Sequence, residues 1–130
     1  MTTTRVLVTG SRDWTDTEVI ADALTRVRDD LKTAGRDTTD AVLVSGACPT
    51  GADAIAERMA DSLGWRVERH PADWTRGRRA GYVRNAAMIG RGADLCVAFI
   101  RARSRGATMT VQLAQAAGIP TVVYRDNSTG

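Results

Sequence analysis

Three short segments of this 130-residue sequence carry side chains suited to holding a phosphate, and each segment follows an apolar run. Glycine permits close approach of the backbone to a ligand, serine offers a hydroxyl, and arginine offers a planar fork of N–H donors. A glycine-containing loop that enters a helix also presents unpaired amides and the positive end of the helix dipole to an anion. These residue types therefore favour the binding of a phosphate-bearing molecule.

We predict ligand contacts from each of the three segments. After the run at 5–9 they are Gly10, Ser11 and Arg12; after the run at 41–44 they are Ser45, Gly46, Thr50, Gly51, Ala52 and Asp53; after the run at 95–100 they are Ser104, Arg105, Gly106, Ala107 and Thr108. Each segment also has a purely structural interpretation, as a turn with a surface arginine, a set of helix caps or a solvated charged loop. Helix capping does not exclude binding.

The second segment has the glycine spacing of a P-loop without its chemistry. Gly46 and Gly51 are correctly spaced, but Ala52 and Asp53 occupy the place of the lysine and the magnesium-binding hydroxyl. This disfavours hydrolysis of a nucleoside triphosphate. No Gly-x-Gly-x-x-Gly follows the first apolar run, which disfavours an ordinary dinucleotide dehydrogenase.

Aromatic, histidine and cysteine side chains add weaker signals. Trp14 and Trp74 lie in loops after strands, where we predict that they stack on a base. His70 is either a structural strand end or a general base. With one histidine and two cysteines in unlike contexts, an ordinary zinc site is excluded, and we predict no metal site.

The net charge of +3 is unevenly distributed along the chain. Residues 1–75 carry a net charge of −4, whereas residues 76–105 hold eight arginines and one acid, a net charge of +7. Arginine suits bidentate phosphate contacts, although a compositional habit of the source organism would also favour it. The Arg76–Arg105 segment is therefore a candidate basic patch, for a phosphate-bearing small molecule or for nucleic acid.

Alternating strand and helix patterns define the fold. Strands are predicted at 5–9, 41–44, 65–70, 95–100 and 121–124. Two helices are predicted to follow the capping residues Thr15 and Thr50, and two more to span 78–89 and 108–117. We predict a single α/β domain over residues 1–130, with a core of about 5–124 and a polar tail at 125–130. It has a Rossmann-like, doubly wound parallel sheet of five strands in the order 3-2-1-4-5, with helices on both faces. Ligands then bind at the carboxyl ends of strands one and four.

The N-terminus has no apolar signal core and no run of 18 apolar residues exists, so we expect a cytoplasmic protein with no membrane partner. The helices of small Rossmann-like domains often pair, which favours a homo-oligomer.

Several motifs together resemble those of the YspA-related branch of the SLOG superfamily. They are Thr9-Gly10-Ser11-Arg12, Ser45-Gly46 with Thr50-Gly51-Ala52-Asp53, His70-Pro71-Ala72-Asp73-Trp74, and Gly81 with Arg84-Asn85-Ala86-Ala87-Met88. The superfamily includes the Lonely Guy phosphoribohydrolases and the DNA processing protein A fold. The resemblance implies a Rossmann-like domain that binds a nucleotide or its derivative, with Arg84 and Asn85 at the site.

The resemblance is incomplete where the Lonely Guy enzymes carry paired glutamates, because Thr110 and Val111 fall at about those positions. A phosphoribohydrolase needs a carboxylate, so Asp53 and Arg84 are the candidate catalytic residues. Our first hypothesis is a sensor or accessory protein that binds an ADP-ribose-like or NAD-like ligand. The sequence identifies no cofactor beyond this nucleotide-derived ligand. The alternatives are an N-glycosidic hydrolase and a nucleic-acid binder.

Overall fold

The structure, a computed structural model, describes residues 3–102 and 104–126. Strands and helices alternate along the described chain, with two short 3₁₀ turns at Thr38–Asp40 and Trp74–Arg76. The strands are β1 Thr4–Gly10, β2 Ala41–Ser45, β3 Arg66–Arg69, β4 Leu95–Arg101 and β5 Thr121–Asp126. The helices are α1 Thr17–Thr33, α2 Gly51–Ser62, α3 Ala80–Gly90 and α4 Arg105–Ala116.

The five strands form one parallel sheet in the order β3-β2-β1-β4-β5, which confirms the predicted topology. Parallel neighbours require crossover connections, and each crossover here contains one helix. The chain moves outward from β1 to β3, then returns past β1 to β4 and β5. The order therefore reverses between β1 and β4, at the centre of the sheet.

Alternate residues of the central strands supply the two halves of the core. Val6 and Val8 of β1 belong to a buried cluster with residues of α1 and α2. Leu7 belongs to a second cluster, with Met88 and Ile89 of α3 and with Ala114 of α4. Helices thus cover both faces of the sheet, as the apolar strand sequences predict.

Most element boundaries differ from the predicted ones by a few residues, and three of the differences have a clear physical cause. The side chain of Asp16, rather than that of Thr15, caps α1 by accepting from the Val19 amide. Helix α4 begins at Arg105, one turn earlier than predicted, because Ser104 takes the extended N-cap conformation. Strand β5 continues to Asp126, since Ile100 and Arg101 of β4 still pair with its end. Residues 127–130 of the predicted tail lie outside the described residues.

Candidate functional site

A cleft of about 840 Å³ lies at the carboxyl end of the sheet, at the reversal between β1 and β4. Its volume is in the range of small-molecule sites, and its position is the one that open parallel sheets use for ligands. Of the predicted ligand-binding residues, the cleft is lined by Gly10, Ser11, Arg12, Gly46, Asp53, Arg84, Asn85, Ser104, Gly106 and Ala107, together with Trp74.

Asp53 and Arg84 meet at Gly46. A Cβ atom added to Gly46 would lie 2.8 Å from an Arg84 guanidinium nitrogen and 3.0 Å from the Asp53 Oδ2 atom. Glycine is therefore required at this position for the two charged side chains to approach the β2–α2 loop. The two groups lie near each other, yet no direct ion pair joins these two described residues.

Burial dominates the ionisation of both groups. Desolvation raises the pKa of the Asp53 carboxyl to about 6, against the lowering effects of the Cys48 amide and the Arg84 charge. Desolvation likewise lowers the pKa of the Arg84 guanidinium, which the charge of Asp53 partly offsets. Burial therefore disfavours the charge on each group.

The Arg84 side chain is held by loop carbonyls. It donates to the Gly46 oxygen and, at 3.4 Å, to the His70 oxygen, while its Nε atom donates to Asn85 Oδ1 at 2.6 Å. Asn85 in turn donates from Nδ2 to the Gly106 oxygen at 3.4 Å. Consecutive residues of α3 therefore connect the β2–α2 loop with the first turn of α4.

The first turn of α4 opens into the cleft. Ser104 caps the helix without a side-chain hydrogen bond, and the first intrahelical bond to it comes from the Thr108 amide at 3.1 Å. The amides of Arg105, Gly106 and Ala107 have no acceptor among the described residues. The Gly106 and Ala107 amides therefore remain available to an anion in the cleft.

Two predicted residues of this turn do not line the cleft. Arg105 is exposed outside it, and the Thr108 hydroxyl is bonded to the Ser104 oxygen at 2.7 Å. Both predictions depended on a longer loop before α4. Because the helix begins at Arg105, its side chain projects from the first turn rather than from a loop.

The N-terminus of α2 is closed by the β1–α1 loop, which corrects part of the predicted phosphate cradle. The Ala52 amide donates to the Ser11 oxygen at 3.1 Å, and the Thr50 hydroxyl donates to the Arg12 oxygen at 3.1 Å. A Cβ atom on Gly51 would lie 2.3 Å from the Ser11 oxygen. Thr50, Gly51 and Ala52 therefore join two loops and do not line the cleft.

Two predicted serine ligands are also bonded within the protein. The Ser45 hydroxyl is buried and donates to Glu57 at 2.7 Å. The Ser11 hydroxyl accepts from the Arg101 amide at 2.7 Å and donates to its carbonyl at 3.2 Å, which joins the ends of β1 and β4. Ser11 lines the cleft, but its hydroxyl proton is already bonded to this carbonyl.

The two tryptophans expected to stack on a base have different positions. Trp14 is only 3% exposed, packs edge-on against Phe99 and donates to the Asp16 carbonyl at 2.9 Å, so the stacking prediction for Trp14 is wrong. Trp74 is 51% exposed and lines the cleft. The Arg12 guanidinium lies 4.8 Å from its ring centroid, in a cation–π contact between the two loops.

Sequence reasoning missed several lining residues, of which Gly81 and Met88 of α3 had a detectable signal. Together with the predicted Arg84 and Asn85 they follow the i, i+3, i+4, i+7 spacing of one helix face, and all four line the cleft. The other missed lining residues are Val8, Thr9, Asp13, Cys48, Gly77, Arg78, Tyr82, Arg101 and Ala102. Nothing in the local pattern of Asp13 distinguishes it from an ordinary loop acid.

The arginines that the structure describes within residues 76–105 do not converge on one surface. Arg78, Arg84 and Arg101 line the cleft, whereas Arg76 and Arg79 line a neighbouring cavity of about 380 Å³ that Arg84 also borders. Arg91 lies 3.9 Å from Glu68, near the opposite end of α3. The positive charge of this segment is thus divided among several surroundings, and part of it is paired with acids.

His70 and the two cysteines form no catalytic arrangement. The His70 Nε2 atom lies 2.6 Å from Glu68 at the end of β3, a contact that fits its structural interpretation. Both cysteines are free thiols, and burial raises the pKa of the Cys96 thiol to about 11.

Over residues 3–102 and 104–126, no three His, Cys, Asp or Glu side chains group as metal ligands. No helix in that part of the chain has the length and apolar character to cross a membrane.

The chain matches known proteins over most of its length. A family model described as the YspA, cpYpsA-related SLOG family matches residues 4–77. The Gene 61 protein of Mycobacterium phage D29 is 42% identical over 128 residues, which cover 94% of this chain and 97% of the phage protein. No solved structure matches. The family match includes Asp53 and Trp74 but ends before α3 and α4, so it does not extend to Arg84 or to the first turn of α4 at Gly106.

Proposed function

The chain belongs to the YspA, cpYpsA-related SLOG family, and on that premise we propose that its cleft binds a nucleotide or a nucleotide-derived phosphate ligand of the ADP-ribose or NAD kind. The observation that carries the proposal is the first turn of α4. Its unpaired amides open into a cleft of ligand size, beside the half-buried Arg84 guanidinium. A helix N-terminus and an arginine together favour a phosphate group.

Gly106 permits a phosphate to reach the backbone of α4. An added Cβ atom there would have Asn85 Nδ2, at 3.9 Å, as its one neighbour within 4 Å, so this side of the turn is open. The Gly106 and Ala107 amides then donate to one phosphate, and Arg84 supplies a positive charge nearby. The role that fits this arrangement is a sensor or accessory protein, since Ala52 and Asp53 replace the lysine and hydroxyl of a P-loop.

Thermal unfolding with a nucleotide panel tests the proposal. AMP, ADP-ribose, NAD and cyclic nucleotides are each added to the protein, and the melting temperature is followed. A ligand at 100 times its dissociation constant stabilises the folded state by about 2.7 kcal/mol, which raises the melting temperature by several degrees. Absence of a shift with every member of the panel would refute the proposed function.

A charged variant at the helix N-terminus localises the site. Gly106→Glu places a carboxylate where the phosphate is expected, so it should abolish the ligand-induced shift by charge repulsion and obstruction. Gly90→Glu is the matched control, because Gly90 is exposed at the end of α3, outside the cleft lining, and an added side chain meets no atom within 4 Å. An undiminished shift in Gly106→Glu would exclude α4 as the phosphate site.

The proximity of Asp53 to Arg84 favours hydrolysis of an N-glycosidic bond as a second candidate function. A carboxyl with a pKa of about 6 is suited to proton transfer near neutral pH. Neither residue at the positions compared with the Lonely Guy glutamates is acidic; Thr110 is buried and donates to the Gly106 oxygen at 3.0 Å. Chromatography that measures the free adenine released from AMP tests this candidate. Binding of AMP without release of adenine would exclude hydrolysis and favour the sensor role.

Our remaining expectations also stay proposals. We propose that residues 1–130 form a single domain, that the protein is a cytoplasmic homo-oligomer, and that nucleic acid is a second-choice partner. Light scattering after size-exclusion chromatography measures the oligomeric state. Titration of a fluorescent single-stranded oligonucleotide at 50 mM salt tests the nucleic-acid alternative, because binding through phosphates is strongest at low salt.

A further inference from the structure

The Asp53 carboxylate has one oxygen that the protein itself does not use. Its Oδ2 atom accepts from the Cys48 amide at 3.3 Å, whereas Oδ1 accepts from no described residue. The residue is only 6% exposed and lines the cleft. Among the described residues, the fully buried side-chain polar atom without a hydrogen-bond partner is Trp65 Nε1, so Oδ1 of Asp53 is not fully buried. The unused oxygen is therefore accessible from the cleft.

The charged groups that face this carboxylate come from three elements. Arg84 approaches from α3, Arg12 belongs to the β1–α1 loop, and Glu57 lies one turn further along α2. Arg84 and Arg12 favour the ionised form and Glu57 disfavours it, while burial raises the pKa of Asp53 to about 6. At neutral pH the group is therefore an ionised acceptor with unused hydrogen-bonding capacity.

An ionised carboxylate accepts hydrogen bonds and donates none, so the ligand group beside it must be a donor. A phosphate is repelled from this position and is expected at the first turn of α4, where the amides are available. Two consecutive residues of α3 connect the two positions. Arg84 lies beside Asp53, and Asn85 donates a hydrogen bond to the Gly106 carbonyl. The donor on the ligand is thus expected near its phosphate, as the hydroxyls of a ribose are in a nucleotide.

We propose that Asp53 accepts hydrogen bonds from the ribose hydroxyls of the ligand, so that the cleft selects ribonucleotides over deoxyribonucleotides. This inference rests on the nucleotide-binding function proposed above and adds the class of sugar to it. Two adjacent hydroxyls suit a carboxylate, because each of its oxygens has two lone pairs. Asp53 Oδ2 retains one acceptor site beyond its bond to the Cys48 amide.

A purely structural role would require less than this carboxylate provides. One acceptor oxygen is sufficient for the Cys48 amide, and an asparagine side chain supplies such an oxygen without the charge. The structure instead retains a buried ionisable group that lacks a direct ion pair. A negative charge at this position is useful to a ligand that donates hydrogen bonds, because such bonds to charged acceptors are the stronger ones.

Calorimetric titration with AMP, 2′-deoxy-AMP, 3′-deoxy-AMP and IMP tests the inference on the whole chain. The wild-type protein should bind AMP at least about tenfold more tightly than one or both deoxy forms, because a lost hydroxyl leaves the charged acceptor unpaired. In Asp53→Asn this ratio should fall to about threefold or less. IMP should bind like AMP, since it retains both hydroxyls and lacks only the base amino group.

Asp61→Asn is the matched control, because Asp61 is an exposed acid on the same helix as Asp53 and lies outside the cleft lining. This variant should keep the tenfold preference for AMP. Equal binding of AMP and both deoxy forms by the wild-type protein would overturn the inference while leaving the proposed function intact. A preference that survives in Asp53→Asn, or a selective loss of IMP binding, would also overturn it. If none of these four probes binds, the inference fails, whereas the proposed function fails only if the wider nucleotide panel also gives no thermal shift.

Discussion

Two acidic side chains of this protein each lie near an arginine, yet their ionisation is shifted in opposite directions. Glu68 accepts two hydrogen bonds from Arg5, each of 2.9 Å, and contacts His70 Nε2 at 2.6 Å. These contacts lower the pKa of Glu68 to about 2, with the bond to Arg5 as the largest cause. Asp53 lies near Arg84 without a direct bond to it, and burial raises its pKa to about 6.

The difference separates a complete interaction from an incomplete one. At Glu68 the partners satisfy each other in direct hydrogen bonds on a partly exposed surface, so the ionised form is favoured. At Asp53 the carboxylate has lost hydration without gaining an ion pair, so its charge destabilises the ligand-free protein. We infer that the first cluster is structural and that the second is completed by a ligand.

Asp53→Asn should produce the largest change. Asp53 has a folded-state pKa above the ordinary 3.8, so the unfolded chain loses this proton first as pH rises. Its contribution to stability is complete below pH 3.8 and is lost as pH passes 6. Removing the charge should therefore stabilise the protein by up to about 3 kcal/mol at pH 7.5. Urea unfolding of both proteins at pH 4.5 and 7.5 measures this, and an equal or lower stability of the variant at pH 7.5 would contradict it.

Glu68→Gln should act in the opposite direction and by a smaller amount. The pKa of Glu68 is lowered, so its contribution is present above pH 4.5 and is lost as pH falls toward 2. The side chain is 28% exposed, and solvent screening limits the expected loss to about 1–2 kcal/mol at pH 7. Asp29→Asn, at the exposed Arg28–Asp29 pair, should change stability by less than about 0.5 kcal/mol. Similar losses in both variants would remove the distinction between the Glu68 cluster and an ordinary surface pair.

Much of the fold, but only part of the site, was predictable from the sequence. The apolar strands and the helices between them imply the parallel sheet, and the sheet order implies a cleft after β1 and β4. The sequence does not reveal which polar atoms form hydrogen bonds within the protein and are therefore unavailable to a ligand. Ser11 and Thr50 have the right residue types at the right edge, yet their hydroxyls join loops that meet only in the folded chain. Trp14 follows a strand but turns into the core against Phe99.

Arg84→Met sharpens the comparison through the pH dependence of stability. Arg84 is the main charge that lowers the pKa of Asp53 against burial, so its removal should move this pKa further upward. The loss of stability attributed to Asp53 should then occur at higher pH than in the wild type. Arg79→Met, at the N-cap of the same helix, is the control, because Arg79 lies outside the cleft lining. Identical midpoints in both variants would show that Arg84 does not influence Asp53.

The contact between Arg12 and Trp74 should give the smallest effect. A cation–π contact at an exposed position contributes about 0.5–1 kcal/mol. A double-mutant cycle of Arg12→Gln and Trp74→Leu measures this coupling by chemical unfolding. Coupling in this range would show that Arg12, like Arg5, is held by a contact within the protein. Zero coupling would contradict this prediction and would leave both Arg12 and Trp74 available to a ligand.

The most direct test of nucleotide binding at the cleft is an amide NMR titration of the 14.0 kDa protein with AMP. Phosphate binding at the first turn of α4 should shift the Gly106 and Ala107 amides most, with smaller changes near Asp53 and none at Gly118. Shifts concentrated at Arg76 and Arg79, around the smaller cavity, would contradict the proposed site. Unchanged amides at saturating AMP, with the same result for ADP-ribose, would contradict nucleotide binding itself.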